Sequence, residues 1–262
     1  MNELHVQVEG IGVWSPQLTG LAALREALAG QTPAAGPARP PAAALSPNER
    51  RRAPNSVLVA IEAASQAVAM SGRAAHSLAC VFASAHGDQA TTDYLCRVLA
   101  QAPTELSPTR FHNSVHNAAA GYWTIATDCR APSSATCAGG ASFGAALLEA
   151  AVLACADQRP VLLVCSDDAG VGPLGEISGC AQAFGSALLL APANAAGIRM
   201  RLATTAGAPR HAALPAACQA WMRDNPAAAA LPLLALLAQG AGDCVLAASQ
   251  RLGLQVRVET DV

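Results

Sequence analysis

The chain has 262 residues, 52% of them apolar and 13% charged, with a net charge of −2. That composition fits a core-rich globular protein and excludes a disordered chain or a nucleic-acid binder with a basic footprint. All 16 basic residues are arginine, which also excludes a P-loop lysine or a Schiff-base lysine.

In chain order, HVQVEGIGV (5–13) reads as a strand, residues 21–29 as a short helix and residues 31–46 as a Pro/Ala-rich surface loop. Arg50, Arg51 and Arg52 open or precede a helix over 56–71. Such a run is ordinarily a solvated helix end, and functionally it would suit an acidic docking partner or a phosphate. Residues 78–85 (LACVFASA) read as an apolar strand, 91–100 as a helix and 114–127 as a buried helix rich in small and aromatic residues. Then come a short small-residue strand (133–138), a Gly139-Gly140 turn, an apolar helix (142–156) and an unbroken apolar strand, PVLLVCS (160–166). A loop is expected over 169–179, strands over 181–190 and 198–205, helices over 214–224 and 227–239, and a closing strand pair over 243–249 and 254–260.

The start, MNELHVQVEG, reads as the beginning of a strand, not a signal peptide, and no apolar run is expected to span a membrane. The nine cysteines (80, 96, 129, 137, 155, 165, 180, 218 and 244) form no C-x-x-C pair. They suit small buried side chains in a reducing cytoplasm better than a disulfide framework or a zinc site.

Three motifs compete for chemistry. Gly170 to Gly175 (GVGPLG) matches the dinucleotide-binding glycine pattern, but Pro173 interrupts the turn, no helix is expected to open there, and no acid follows about 20 residues on. Gly140-Ala-Ser-Phe-Gly144 matches a hydrolase nucleophile elbow, with Ser142, then Asp167 or Asp168, then His211 in hydrolase order. No oxyanion loop accompanies it, and Ser142 suits a capping or packing role at a helix start. His112 and His116, four residues apart, could meet a metal on one helix face, but no third ligand is near.

The stretch from Ser107 to Asp168 resembles the β-ketoacyl synthases of the thiolase-like superfamily. Ser107-Pro108, Asn117, Ala120-Gly121, Pro132 and Val161 to Asp168 all stand at that family's spacing. The strand–turn–helix around Gly139-Gly140 is where the family lifts its cysteine above the sheet at a helix N-terminus. Aligned without a gap, the nucleophile position falls on Gly140; a one-gap alternative places it on Cys137, with Gly140 as the glycine that follows. The family's H-G-T and G-F-G-G-H-N histidine loops have no counterpart, nor does its active-site lysine, and the only histidine after His116 is His211.

The resemblance implies an α/β, thiolase-like, layered α-β-α-β-α fold, with a complete N-terminal half (1–195) and a truncated C-terminal half (196–262) in a single domain. A chain that keeps the scaffold without the chemistry most resembles the short chain-length-factor subunits of type II, aryl-polyene-type ketosynthases. It implies no catalytic residue of its own, no cofactor and no metal. The implied partners are a full-length ketosynthase in a heterodimer and, through that complex, an acyl carrier protein; nucleic acid and membrane are not implied. The interface and tunnel wall would use His116, Asn117, Ala118, Ala119, Ala120, Tyr122 and Trp123, and pairing would run through the edge strand 133–138. The alternative is a stand-alone enzyme: an acyltransferase using Cys137 or an esterase using Ser142.

Overall fold

The structure, a computed structural model, describes residues 3–259. Its first strand, β1 (Leu4–Ser15), is long and bulged at Val8/Gly10; β2 (Leu18–Thr19) folds back on it, and helix α1 (Leu21–Leu28) follows. After an irregular stretch, α2 (Pro47–Arg52) begins with a capping box between Ser46 and Glu49, so Arg50, Arg51 and Arg52 are its last turn. Helix α3 (Asn55–Ser71) ends on the left-handed Gly72 and leads to β3 (Ala79–Ala83). Asp88 caps α4 (Gln89–Gln101).

The helix expected over 114–127 is shorter, α6 (Ala118–Ala126); a turn over its first residues joins it to a separate short helix, α5 (Pro108–His112). The strand expected over 133–138 is β4 (Ser133–Thr136). A 3₁₀ turn over Gly139–Ala141 enters α7 (Ser142–Ala156), followed by β5 (Val161–Asp167). The loop expected over 169–179 contains a helix, α8 (Gly172–Ser178), because Pro173 occupies the first turn, where its missing N–H is tolerated. Strands β6 (Phe184–Pro192) and β7 (Ile198–Thr205), helices α9 (Ala216–Asp224) and α10 (Leu231–Gln239), and strands β8 (Gly242–Ala247) and β9 (Gly253–Glu259) complete the chain. Thr260, expected to end the last strand, lies outside the described residues.

The strands form one mixed sheet in the order β4-β3-β5-β6-β1-β7-β9-β8. β4, β3 and β5 run parallel, and β6 turns antiparallel to both β5 and β1. Alternate side chains feed two cores. Cys80, Phe82, Leu162, Val164, Ala187 and Leu189 meet α3 and α6; Val81, Leu163, Cys165, Leu188 and Leu190 meet α7 and the C-terminal helices. Helix α3 lies directly on the β1 backbone. A Cβ on Gly10 or Gly12 would come within 2.0 Å of the Ala67 or Ala63 carbonyl oxygen, so only glycine fits.

Helix α7 touches β4 at one end of the sheet and β8 at the other. Eight strands laid flat would span roughly 34 Å, far more than a helix about 10 Å thick can bridge. The β7-β9-β8 arm therefore curls back over α7, giving the layered thiolase-like architecture. Its other face carries the half-buried Arg201, Ala203 and Gln255 and the exposed Arg257. Residues Gly139–Ala156 form an 18-residue helical run with mean hydropathy 1.6, long and apolar enough to cross a membrane by length and composition, contrary to the expectation that no run reaches that length. Here the run is half-buried as the central helix, with Phe143, Ala146, Leu147, Ala150, Ala151 and Ala154 in the core.

Candidate functional site

The turn between β4 and α7 carries no side chain at Gly139 or Gly140. Gly139 takes a left-handed φ of +56°. A Cβ placed on Gly140 would find no atom within 4 Å, so the position is open space. Cys137 is not inside the incoming strand as expected: β4 stops at Thr136, Cys137 is exposed, and its thiol lies 3.4 Å from the Ala85 carbonyl. The strand ends early because the chain must leave the sheet to reach the 3₁₀ turn. Ser142 is buried, its Oγ accepting from the Ala138 N–H (2.9 Å) and donating to the Gly139 carbonyl (2.7 Å), so the hydroxyl clasps the turn it closes.

Hydrolase order in the sequence is not matched by contact in the fold. The His211 Nδ1 lies 2.7 Å from the Ala212 carbonyl, the Asp168 carboxylate takes Asn55 and its own following N–H, and Asp167 faces another loop. Among the described residues no hydrogen bond joins Ser142, either aspartate and His211.

Asp167 ends β5, 1% exposed, beneath the turn formed by residues 84–87. It accepts from Ser84 Oγ (2.7 Å) and from the N–H groups of Ala85 and His86 (3.0 Å each). The Gly87 N–H in turn donates to Ser84 Oγ at 2.7 Å. Burial pushes the Asp167 carboxyl above its ordinary range, against the pull of these donors and of His86. The carbonyls of the same turn face the elbow: Ser84 O accepts from His116 Nε2 (3.1 Å) and lies 3.4 Å from Ser142 Oγ, and Ala85 O faces the Cys137 thiol. Three side chains singled out in the sequence therefore meet on one turn that the sequence did not flag. The only signal was an aspartate closing an unbroken apolar strand, where a buried charge demands donors.

His112 and His116 do not share a helix face: His112 ends α5, and His116 lies in the turn before α6. That turn is pinned at both ends, by His116 to Ser84 and by Asn113, buried, whose Oδ1 accepts from the Tyr122 hydroxyl at 3.1 Å. Val115 and Ala118 are shared by two hollows. One is a crevice of about 30 Å³ bounded by Ser84, Gly87, His116 and Ala119. The other is a cleft of about 350 Å³ bounded by Arg52, His112, Asn117, Gly121, Tyr122 and Ile125. Ala120 and Trp123 face inward, packed in the core beside Phe82.

In the GVGPLG segment a helix does open within the glycines, contrary to expectation. The glycines serve packing, since a Cβ on Gly170 would meet the Cα of Gly175 at 2.6 Å. The carboxylate of Asp93 stands over Gly172, where a phosphate would have to sit.

A family model described as the β-ketoacyl synthase N-terminal domain matches residues 25–252. No curated protein matches the chain. Among solved structures, a chain of a ketosynthase (ApeO) in complex with its chain length factor (ApeC) from Xenorhabdus doucetiae superposes with a TM-score of 0.72 at 21% identity, covering 97% of this chain and 99% of that one. A chain of the ishigamide ketosynthase/chain length factor gives 0.72 at 16% identity, covering 98% and 99%. A chain of AntDE:AntF, a type II PKS acyl-carrier protein in complex with its ketosynthase bound to the hexaketide, gives 0.74 at 12% identity, covering 99% and 100%. These likenesses are of fold; the family match is of sequence and runs from α1 through the 139–141 turn and β5 to the end of β8, and the chain belongs to the β-ketoacyl synthase N-terminal domain family.

Proposed function

We propose that the chain is a non-catalytic, chain-length-factor-like subunit that pairs with a full-length β-ketoacyl synthase in the cytoplasm and forms one wall of its acyl tunnel. The pathway would be carrier-protein-dependent synthesis of a fatty-acid- or polyketide-type product, of which an aryl polyene is the narrowest form. The observation that carries this reading is Gly140, on which a Cβ would find no atom within 4 Å, in the strand–turn–helix where the resemblance puts the nucleophile. Synthase chemistry needs a thiolate to take the acyl chain and imidazoles to stabilise the developing charge, and this turn presents neither. Residues 1–195 then stand as the complete synthase-like half and 196–262 as the reduced one. The partner supplies the cysteine and histidines, and the acyl carrier protein is met through the complex.

Support for a partner comes from β4. Its outer edge is unpaired among the described residues, and Ser133 and Ala135 are exposed. The two helices that touch β4 each carry an exposed apolar residue, Ile125 on α6 (71% exposed) and Val152 on α7 (44%). A bare edge between apolar shoulders is a template for a second strand.

The test is co-expression with a full-length ketosynthase and acyl carrier protein from the same source. The expected result is a 1:1 complex on size exclusion, with acyl groups mapped by mass spectrometry only to the partner's thiol. A chain that stays apart from the synthase, or that carries acyl on Cys137 or Ser142, would overturn the proposal.

A further inference from the structure

We infer that Asp167 is a positioning residue for the acyl-contacting wall: by holding the 84–87 turn it fixes His116 and the Val115–Ala118 partition, and so sets how deep a chain can run. This rests on the reading of the chain as a tunnel-forming subunit and names the residue that tunes it.

The argument follows the bonds. Asp167 cannot move, being 1% exposed at the end of a strand buried along its whole length. One carboxylate gathers three donors of one turn, the Ser84 hydroxyl and the N–H groups of Ala85 and His86. That fixes where the Ser84 carbonyl points, and this carbonyl is the acceptor for His116 Nε2. His116 is flanked by Val115, which with Ala118 separates the crevice of about 30 Å³ from the cleft of about 350 Å³. The crevice has room for about one water molecule. Loosening the 84–87 turn would let the partition recede and join the two hollows, lengthening the space a chain can fill. Asn225 ties the Asp167 carbonyl to that of Gln182 by donating to both (2.9 and 2.7 Å), so the anchor is braced from the far side.

The experiment uses the complex of this chain with its ketosynthase and carrier protein, and reads product lengths by mass spectrometry. Asp167→Asn keeps the shape but turns an NH₂ toward donors. Asp167→Asn and His116→Ala should each raise the ratio of longer to shorter products at least about threefold, with the 1:1 complex intact. Ser84→Ala should move the ratio the same way by less. The double variant Asp167→Asn/His116→Ala should match the larger single effect, because both act through one chain of contacts. A destabilised but otherwise ordinary strand end would alter the yield of complex and leave the product ratio alone. An unchanged ratio in an intact Asp167→Asn complex, or additive effects in the double variant, would overturn the inference. Where Asp167→Asn fails to assemble, Ser84→Ala decides: a shifted ratio supports the role and a wild-type ratio overturns it. Failure of the wild-type chain to join the synthase at all defeats the functional proposal first, and this inference with it.

Discussion

The two ends of the sheet are treated differently. At β8 the edge is partly closed by the chain itself: Arg210 and Val245 exchange both backbone hydrogen bonds, at 3.0 and 2.8 Å. Its inner side is clamped by α7, where Gly144 brings the helix against the Ala247 carbonyl. At β4 the inner side is equally well held. Ser134 and Thr136 both donate to the Glu149 carboxylate on α7, and the Pro132 and Thr136 carbonyls accept from Cys80 and Ser84 of β3 or just beyond it. The outer side is left bare. Ordered, small-residue and uncovered, β4 has the form of an edge kept for another strand, whereas β8 has the form of one that is finished.

The largest effect is expected at the clamp on the finished edge. A Cβ on Gly144 would sit 2.1 Å from the backbone oxygen of Ala247, which cannot swing away. Gly144→Ala should lower unfolding free energy by about 3 kcal/mol, the upper part of the overpacking range, as measured by denaturant melts. A variant as stable as the parent would show that the arm is not held against α7.

Breaking the bare edge should affect assembly and not folding. Because the Pro132 and Thr136 carbonyls face β3, the alternation along a parallel strand turns the N–H groups of Ser133 and Ala135 outward. Ala135→Pro therefore spares the β3 ladder, removes an outward donor and puts a ring in the path of a second strand. Affinity for the ketosynthase should fall at least about tenfold, one lost hydrogen bond plus the steric clash, while the melting curve changes little. Arg210→Pro at the other edge removes one bond to Val245 and is the converse: about 1 kcal/mol of stability lost with assembly unchanged. Equal effects of both changes on complex formation would erase the distinction between the edges.

The smallest expected effect is electrostatic and lies just inside the β4 side of the sheet. Burial raises the Asp167 carboxyl above its ordinary 3.8, opposed by the Ala85, Ser84 and His86 hydrogen bonds and by the charge of His86; Asp168, Cys165 and Cys180 also feel its charge. The folded chain thus holds this proton more tightly than the unfolded one. Its stabilising contribution is complete below 3.8 and is lost as pH rises through the raised value. The stability of the parent relative to Asp167→Asn should therefore decline across that window and level off above it. A difference that grows with pH would mean that the hydrogen bonds outweigh desolvation.

Much of this was legible in the residues. The strand–turn–helix at Gly139-Gly140 and the apolar run PVLLVCS (160–166) need no tertiary information: glycines permit the turn, and an apolar run without alternation must be buried on both faces. The absence of a side chain at Gly140 is likewise a statement about sequence. What the sequence misplaced were elements whose limits depend on contacts. The helix expected over 114–127 starts only at Ala118, because the turn before it is held by Asn113 to Tyr122 and by His116 to Ser84, and a helix formed around Pro173 where proline suggested a loop.

Local pattern, then, determined most of the strands and helices, and that a glycine pair fills the turn between β4 and α7. Only the tertiary structure decided that the turn at 84–87 gathers Cys137, Ser142 and His116, and that one aspartate holds that turn from beneath. The physical reason is distance along the chain. Periodicity and turn chemistry act over a few residues, whereas Ser84 and Asp167 stand 83 residues apart and meet only because β3 and β5 are neighbours in the sheet.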